Sequence, residues 1–267
     1  MLDQGDRFSG LFQIRTSTDV HLGTRWIFFG IASYVLWAVL AVLYLTGMLQ
    51  QIPSFSIPLL LGSIFFDATT WLSLLAFGAS TGLAYIVFRV IDRQNKHVLR
   101  MQAIFSEALK RAESETRPEQ TDILVPLSSA EQDFSAFVQK THERSGVLWA
   151  MLVLIPYLGW IFLIIALYHL SQASDSHEQT ERLLLEDLDR VLGVRGSQRI
   201  PVRTGYFPSR NSAGFLIASL VTVGIFSIFW LYQMVSGPMD HFRYHSDFEP
   251  NLIIAFSGSE PARGSGT

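Results

Sequence analysis

The apolar residues of this chain are gathered into four long segments separated by polar stretches. The segments run from Trp26 to Met48, Ala68 to Phe88, Val147 to Leu167 and Ala213 to Val235, and none contains Asp, Glu, Lys, Arg or His. Each is close to the ~20 residues that an α-helix needs to cross the ~30 Å hydrocarbon core of a bilayer. The pattern predicts an all-α fold, namely an integral membrane protein with four apolar helical segments.

The polar stretches carry apolar residues at three- and four-residue spacing, which is typical of amphipathic helices. After the second and third apolar segments, the spaced positions are Val98, Met101, Phe105, Leu184, Leu188 and Val191. Pro118 and Pro126 are expected to interrupt the first stretch, and Ser128 with Glu131 forms a capping pair for a further helix. We therefore expect amphipathic helices at the membrane surface.

These patterns divide the chain into six parts. They are a polar N-terminal leader (1–25), a transmembrane hairpin (26–91), a cytoplasmic helical loop (92–143), two units of membrane segment plus amphipathic helix (144–196 and 197–256) and a flexible tail (257–267). Cytoplasmic loops of membrane proteins carry an excess of Lys and Arg. Because four basic residues directly follow the second segment, we expect the loop and the amino terminus on the cytoplasmic side of a cell membrane; these residues are Arg89, Arg93, Lys96 and Arg100.

The third and fourth segments admit two arrangements. Their lengths of 21 and 23 residues favour full crossing, which is what we expect. Full crossing, however, places the arginines of loop 168–211 outside, against the usual charge bias. In the alternative, each segment dips into the membrane and returns, turning at 156–159 and at 222–224. The dip keeps every amphipathic helix on the cytoplasmic side, but it exposes turn backbone at depth.

Composition supports the membrane prediction and excludes several classes of chemistry. Charged residues make up 16% of the chain, against ~25% in an ordinary soluble domain. A net charge of −3 gives no sign of nucleic-acid binding. Without cysteine, the chain has neither disulfides nor thiolate metal ligands. The usual enzyme motifs are also missing, so we expect no catalytic residues and no cofactor.

The third and fourth segments look like copies of one another. A shift of 64 positions places Tyr168 on Tyr232 and His177 on His241, so that each tyrosine precedes a histidine by nine residues. The second segment contains a fainter version of the motif, in which Phe88 precedes His97 by nine. We read this as a two-copy repeat with a possible third copy.

The fourth segment also carries a family resemblance. The run from Thr222 to Tyr232, TVGIFSIFWLY, resembles the Thr-x-Gly-Ile-Tyr…Trp-Leu-Tyr signature of a family of prokaryotic membrane proteins of unknown function. The resemblance covers residues 144–256, although Pro156 and Trp160 depart from the signature in the third segment. It implies a repeated module of apolar segment plus surface helix, and it brings no known activity.

A polar cluster after the fourth segment is the candidate metal site. His241 and His245 lie four residues apart and so share a helical face, with Asp247 as a carboxylate third ligand. Two imidazoles and a carboxylate are a common ligand set for Zn²⁺. The alternative is that these histidines hydrogen-bond lipid phosphates or a neighbouring helix.

Small residues at four-residue spacing occur in two of the apolar segments. The pairs are Gly78 with Gly82 and Gly214 with Ala218. Such pairs let helix backbones approach closely in lipid, so we expect them at helix-packing contacts.

Two classes of function remain. The first is a non-catalytic membrane scaffold or accessory subunit that binds a partner membrane protein or lipid headgroups through its surface helices. The second is a small oligomeric transporter or channel. The first is favoured because the apolar segments carry none of the ionisable groups that mark an ion path. The expected partners are the lipid bilayer and other membrane proteins.

Overall fold

The computed structural model describes residues 23–45, 68–116, 119–141, 143–195 and 211–256, and its regular elements are all helices. A 3-10 turn, Thr24–Trp26, is followed by eight α-helices. They are α1 (Ile27–Leu45), α2 (Ala68–Glu115), α3 (Thr121–Lys140), α4 (Gly146–Val153), α5 (Gly159–Val194), α6 (Ser212–Val221), α7 (Ile225–Ser236) and α8 (Pro238–Phe256). The prediction of an all-α fold is confirmed.

Helix α2 is the longest of the described helices and contributes to both hydrophobic cores. It has 48 residues, so at 1.5 Å per residue it is about 72 Å long. Among the described helices, it is the one with the length and apolar composition needed to cross a membrane; α1 and α6 are apolar but shorter. Its apolar first half packs against α1. The helix continues without a break through position 91, where we had expected a domain boundary.

The third and fourth apolar segments are helical hairpins, and the expectation of full crossing is wrong. The first hairpin is α4, a turn and the start of α5, and the second is α6, a turn and α7. Helices α4 and α6 have 8 and 10 residues, only about 12–15 Å. The rings of Trp149 and His169 lie 5.9 Å apart, although a straight helix would separate them by about 30 Å. Phe215 likewise contacts Trp230.

Both turns fall where the alternative arrangement placed them. The helices are interrupted at 154–158 and 222–224, and three turn residues have left-handed backbone: Tyr157 (φ 61°), Val223 (φ 52°) and Gly224 (φ 93°). Close approach adds a second constraint, because a Cβ on Gly159 would collide with the carbonyl oxygen of Val153. Segment length therefore misled the prediction, since length does not register turn-forming residues inside an apolar run.

Helix α1 holds the two turns together. The Tyr34 hydroxyl donates to the carbonyl of Val223 at 2.9 Å, and the rings of Trp37 and Tyr157 are 4.9 Å apart. We call α1, residues 68–91 of α2 and the two hairpins the apolar layer. Its core comprises Leu83, Ala84, Ile86, Val87, Val90, Ile91, Val153, Leu163, Ile164, Leu167, Leu170, Trp230, Leu231, Met234 and Val235.

The polar halves of the helices gather in one bundle beside this layer. The bundle consists of α3, α8 and the second halves of α2 and α5, around a core that includes Phe105, Phe137, Leu188 and Phe248. Full crossing would have placed the second half of α5 and α8 on opposite faces of the membrane, whereas here they share one core. Helix α3 begins at Thr121, so Pro126 lies inside it and the expected start at Ser128 is wrong. Burial of Ile123 and Leu127 accounts for the earlier start.

The turn of the first hairpin can be tested with a matched pair of substitutions. Gly159→Ala places a methyl group against the Val153 carbonyl and should destabilise the fold by about 1–3 kcal/mol, as overpacking does. Gly78→Ala fills open space on an exposed helix face and should stabilise it by about 0.5–1 kcal/mol. Thermal melting measures both. A Gly159→Ala protein that melts at or above wild type would contradict the hairpin geometry.

Candidate metal centre

Four buried histidines meet where the apolar layer joins the bundle. Helix α2 supplies His97, α5 supplies His177, and α8 supplies His241 and His245, and each of these residues is at most 4% exposed. The ring centroids of the first three are 5.2 to 5.7 Å apart, which makes a nearly equilateral triangle. These are the three histidines of the repeat motif, nine residues after Phe88, Tyr168 and Tyr232.

Three of these histidines and Glu181 turn their ligand atoms toward a common point. One ligand atom each from His97, Glu181, His241 and His245 can be chosen so that all four lie within 4.8 Å of one another. The Nε2 atom of His241 is 3.3 Å from that of His97 and 2.9 Å from that of His245. Glu181 Oε1 is 3.1 Å from His245 Nε2, and Glu181 Oε2 is 3.6 Å from His241 Nε2.

Four of these separations are close to those of a tetrahedral coordination shell. Ligands that bind Zn²⁺ at 2.0–2.1 Å in a tetrahedron are ~3.3 Å from each other. The four distances above, 2.9 to 3.6 Å, bracket this value, and the whole set lies within 4.8 Å. The four side chains are therefore close enough together to bind one ion.

Hydrogen bonding within the described residues does not satisfy this cluster. Neither oxygen of Glu181 has a hydrogen-bond partner of suitable geometry, although the residue is only 3% exposed. These oxygens face imidazole nitrogens of His177, His241 and His245 at 3.1 to 3.6 Å. A cation at the centre would satisfy the oxygens and the nitrogens together.

A second set of side chains fixes the orientation of the ligands. The Nδ1 atom of His245 is 3.3 Å from Glu249 Oε1, which also accepts a hydrogen bond from Arg100 Nη2 at 2.9 Å. The side chains of Arg100 and Glu249 are almost completely buried. A carboxylate behind a ligand histidine fixes its tautomer and leaves Nε2 for the metal. His177 contacts the ligand carboxylate, with its Nε2 atom 3.2 Å from Glu181 Oε2.

The charges of the cluster show what an ion would replace. Burial opposes ionisation of Glu181, but the neighbouring His245 and His241 hold its pKa well below the usual range. Burial disfavours the charge on His245, yet Glu181 and Glu249 raise its pKa to about 9. Burial and the charge on His245 push the pKa of His241 well below its usual range. The metal-free centre thus holds one imidazolium beside a carboxylate, and a metal ion would take the place of that proton.

The residues predicted for the metal site separate in the structure. His241 and His245 lie together, whereas Asp247 is exposed and its Oδ1 is bonded to Ser246. A residue two positions from His245 lies on a different side of the helix. The carboxylate comes instead from Glu181, the residue that the 64-position shift aligns with His245. That alignment and the nine-residue spacing of His97 were the signals that could have found the whole cluster.

The other motif residues lie outside the cluster. Tyr168 packs half-buried against the core of the apolar layer, while Tyr232 is exposed. Of the proposed packing residues, Gly82 faces the ring of Phe29, but nothing lies within 4 Å of a Cβ placed on Gly78. Gly214 instead donates its amide to Asn211, the N-cap of α6, at 2.8 Å.

Ala218 also has a local role. Its carbonyl accepts the Thr222 hydroxyl at 2.7 Å, where the second hairpin turns. Gly214 and Ala218 thus take part in the start and the end of α6 respectively.

Comparison with models of known protein families, with curated proteins and with solved structures finds no match for this chain. The resemblance of residues 222–232 to a membrane protein family stays a prediction.

The charges of the metal-free centre predict how its stability depends on pH. The folded pKa of His245, about 9, is above its ordinary 6.5, so its contribution is complete below pH 6.5 and is lost as pH rises through 9. The melting temperature of chelator-treated protein should therefore fall from pH 6.5 to pH 9. His245→Asn should abolish this fall, and substitution of the exposed His169 should not. A melting temperature that is flat or rises across this range would exclude the charged pair.

Proposed function

We propose that this chain is a non-catalytic membrane protein whose bundle is held together by a buried divalent metal ion, Zn²⁺ by its ligand chemistry. The observation that carries the proposal is the convergence of three imidazole nitrogens and one carboxylate from three helices within 4.8 Å. Imidazole with carboxylate suits first-row divalent metals, and tetrahedral spacing favours zinc among them.

The proposed role follows from closure of the site. Catalytic zinc keeps one position open for water or substrate, whereas structural zinc is enclosed by four protein ligands. Here four protein ligands are available and each is at most 4% exposed. An ion so enclosed holds α2, α5 and α8 in register. A transported ion needs sites that it can leave readily, so we do not extend the transporter alternative to this centre.

The apolar layer supports a membrane location. Large apolar side chains on its outer faces are exposed, among them Phe28, Val35, Val39, Val42, Trp71, Leu74, Leu75, Met151, Ile217, Val221 and Ile225. Soluble monomers rarely expose contiguous apolar surface on this scale. In the proposed arrangement, α1 and α2 anchor the chain, the two hairpins dip in from the cytoplasmic side, and the bundle stays in the cytoplasm.

In the proposed accessory role, the outer faces of α3 and α8 bind a partner. A rigid bundle held against the membrane offers the outer faces of α3 and α8 to a partner membrane protein or to lipid headgroups. Exposed polar residues on these faces include Glu131, Gln132, Lys140, Asp240 and Arg243.

Metal analysis of the purified protein tests the proposal. Protein produced with zinc in the medium should retain one zinc per chain after desalting, and His241→Ala or the nearly isosteric Glu181→Gln should remove it. Asp247→Asn and His169→Ala are matched controls, because both residues are exposed, and they should retain zinc. Wild-type protein without any divalent metal would refute the proposal. So would zinc that is lost from Asp247→Asn but retained in His241→Ala and Glu181→Gln.

A further inference from the structure

A cavity of about 320 Å³, separate from the metal centre, opens to the surface of the apolar layer beside the exposed residues Tyr157 and Val223. Helix α1, the first half of α2 and the turns of both hairpins surround it. Residues that define its walls include Trp37, Ala38, Ser80, Tyr157, Trp160 and Ile228. Small residues leave the space open, since Ala38 and Ala41 of α1 and Gly159 of the first hairpin line it.

Five polar side chains that line the cavity are bonded to protein, namely Ser33, Tyr34, Trp37, Ser80 and Ser227. Trp37 Nε1 donates to Ser80 Oγ at 2.8 Å, and Ser80 Oγ in turn donates to the Ala76 carbonyl. Ser33 bonds to the same serine. Water needs two to four polar partners to occupy a cavity, whereas dry apolar cavities of about half this volume bind benzene. The chemistry of the walls therefore selects an apolar ligand.

Two residues with left-handed backbone also line this cavity. Tyr157 and Val223, both with positive φ, line the cavity, and positive φ is a genuine outlier for a β-branched residue. The Tyr34 hydroxyl holds the Val223 carbonyl, and the Tyr157 ring packs on Trp37. Strained backbone of this kind clusters at ligand sites, because the surrounding structure must hold it in place. An occupant touching both turns would brace them.

The surroundings identify the occupant. Next to cavity-lining Ala38, the side chain of Val39 is 42% exposed, and Leu74, Leu158 and Val221 are also exposed in the apolar layer. We infer that the cavity holds the acyl chain of a membrane lipid, an inference that rests on the proposed membrane location. In that location, acyl chains are the solvent around the cavity, and they match its apolar walls.

Photolabelling from the lipid tests this inference. The protein is placed in vesicles of phosphatidylcholine and phosphatidylglycerol that contain phosphatidylcholine with a diazirine in its acyl chain. After irradiation, labelled residues are mapped by mass spectrometry. We expect labels on the outer surface, at Val39 and Leu74, and a second set in the cavity, at Trp160 and Ile228.

Two neighbouring substitutions separate the two sets of labels. Ala38→Trp fills the cavity and should remove the labels at Trp160 and Ile228 while leaving those on the outer surface. Val39→Trp adds the same ring on the exposed side and should leave both sets. A cooperative thermal melting transition shows that each variant is folded, and Ala41→Phe replaces Ala38→Trp if the latter is not.

The outcomes distinguish this inference from the proposed function. Outer labels without cavity labels in the wild type would overturn the lipid site while supporting the membrane location, and would leave a segment of this chain as the occupant. Absence of both sets would overturn the membrane location and the lipid site together. Cavity labels that persist in a folded, cavity-filled variant would also overturn the site.

Discussion

The arrangement of helices in this protein depends on a carboxylate buried among imidazoles. Glu181 lies in the middle of α5, completely surrounded by protein, and the groups around it are histidines from α2 and α8. An isolated charge at such a position would cost several kcal/mol, and the neighbouring histidines offset this cost by bringing positive charge to the carboxylate. A metal ion does so with a fixed geometry, and three helices must keep their register to maintain it.

The two hairpins allow α2, α5 and α8 to meet at Glu181. Because each apolar segment turns back at its middle, the helices that leave the apolar layer do so in the same direction, and His177 and His241 reach one site. Arg93 reinforces the junction by donating to the carbonyls of Met234 and Val235 at the end of α7.

Local pattern predicted the helices well and their arrangement poorly. Spacing of apolar residues found the buried face of α5, including Leu184, Leu188 and Val191, because helical periodicity is a local property. Segment length failed at both hairpins, since a run long enough to cross a bilayer also suffices for two short helices and a turn. Pro126 misled for a related reason, because burial of its neighbours outweighed the cost of proline in a helix.

The metal centre could be predicted in part. His241 and His245 are four residues apart, so helix geometry alone joins them. Glu181 and His97 come from other helices, and only their register against His245 and His241 connected them in the sequence. Asp247 was chosen by proximity along the chain, and a spacing of two residues turns it to solvent.

X-ray absorption at the zinc edge of the purified protein tests the central claim most directly. A centre of three histidines and one glutamate should give four nitrogen or oxygen ligands at about 2.0–2.1 Å. It should also show the outer-shell scattering of three imidazole rings. A six-coordinate oxygen shell, or scattering from one imidazole only, would show that any bound metal lies elsewhere and would contradict the account.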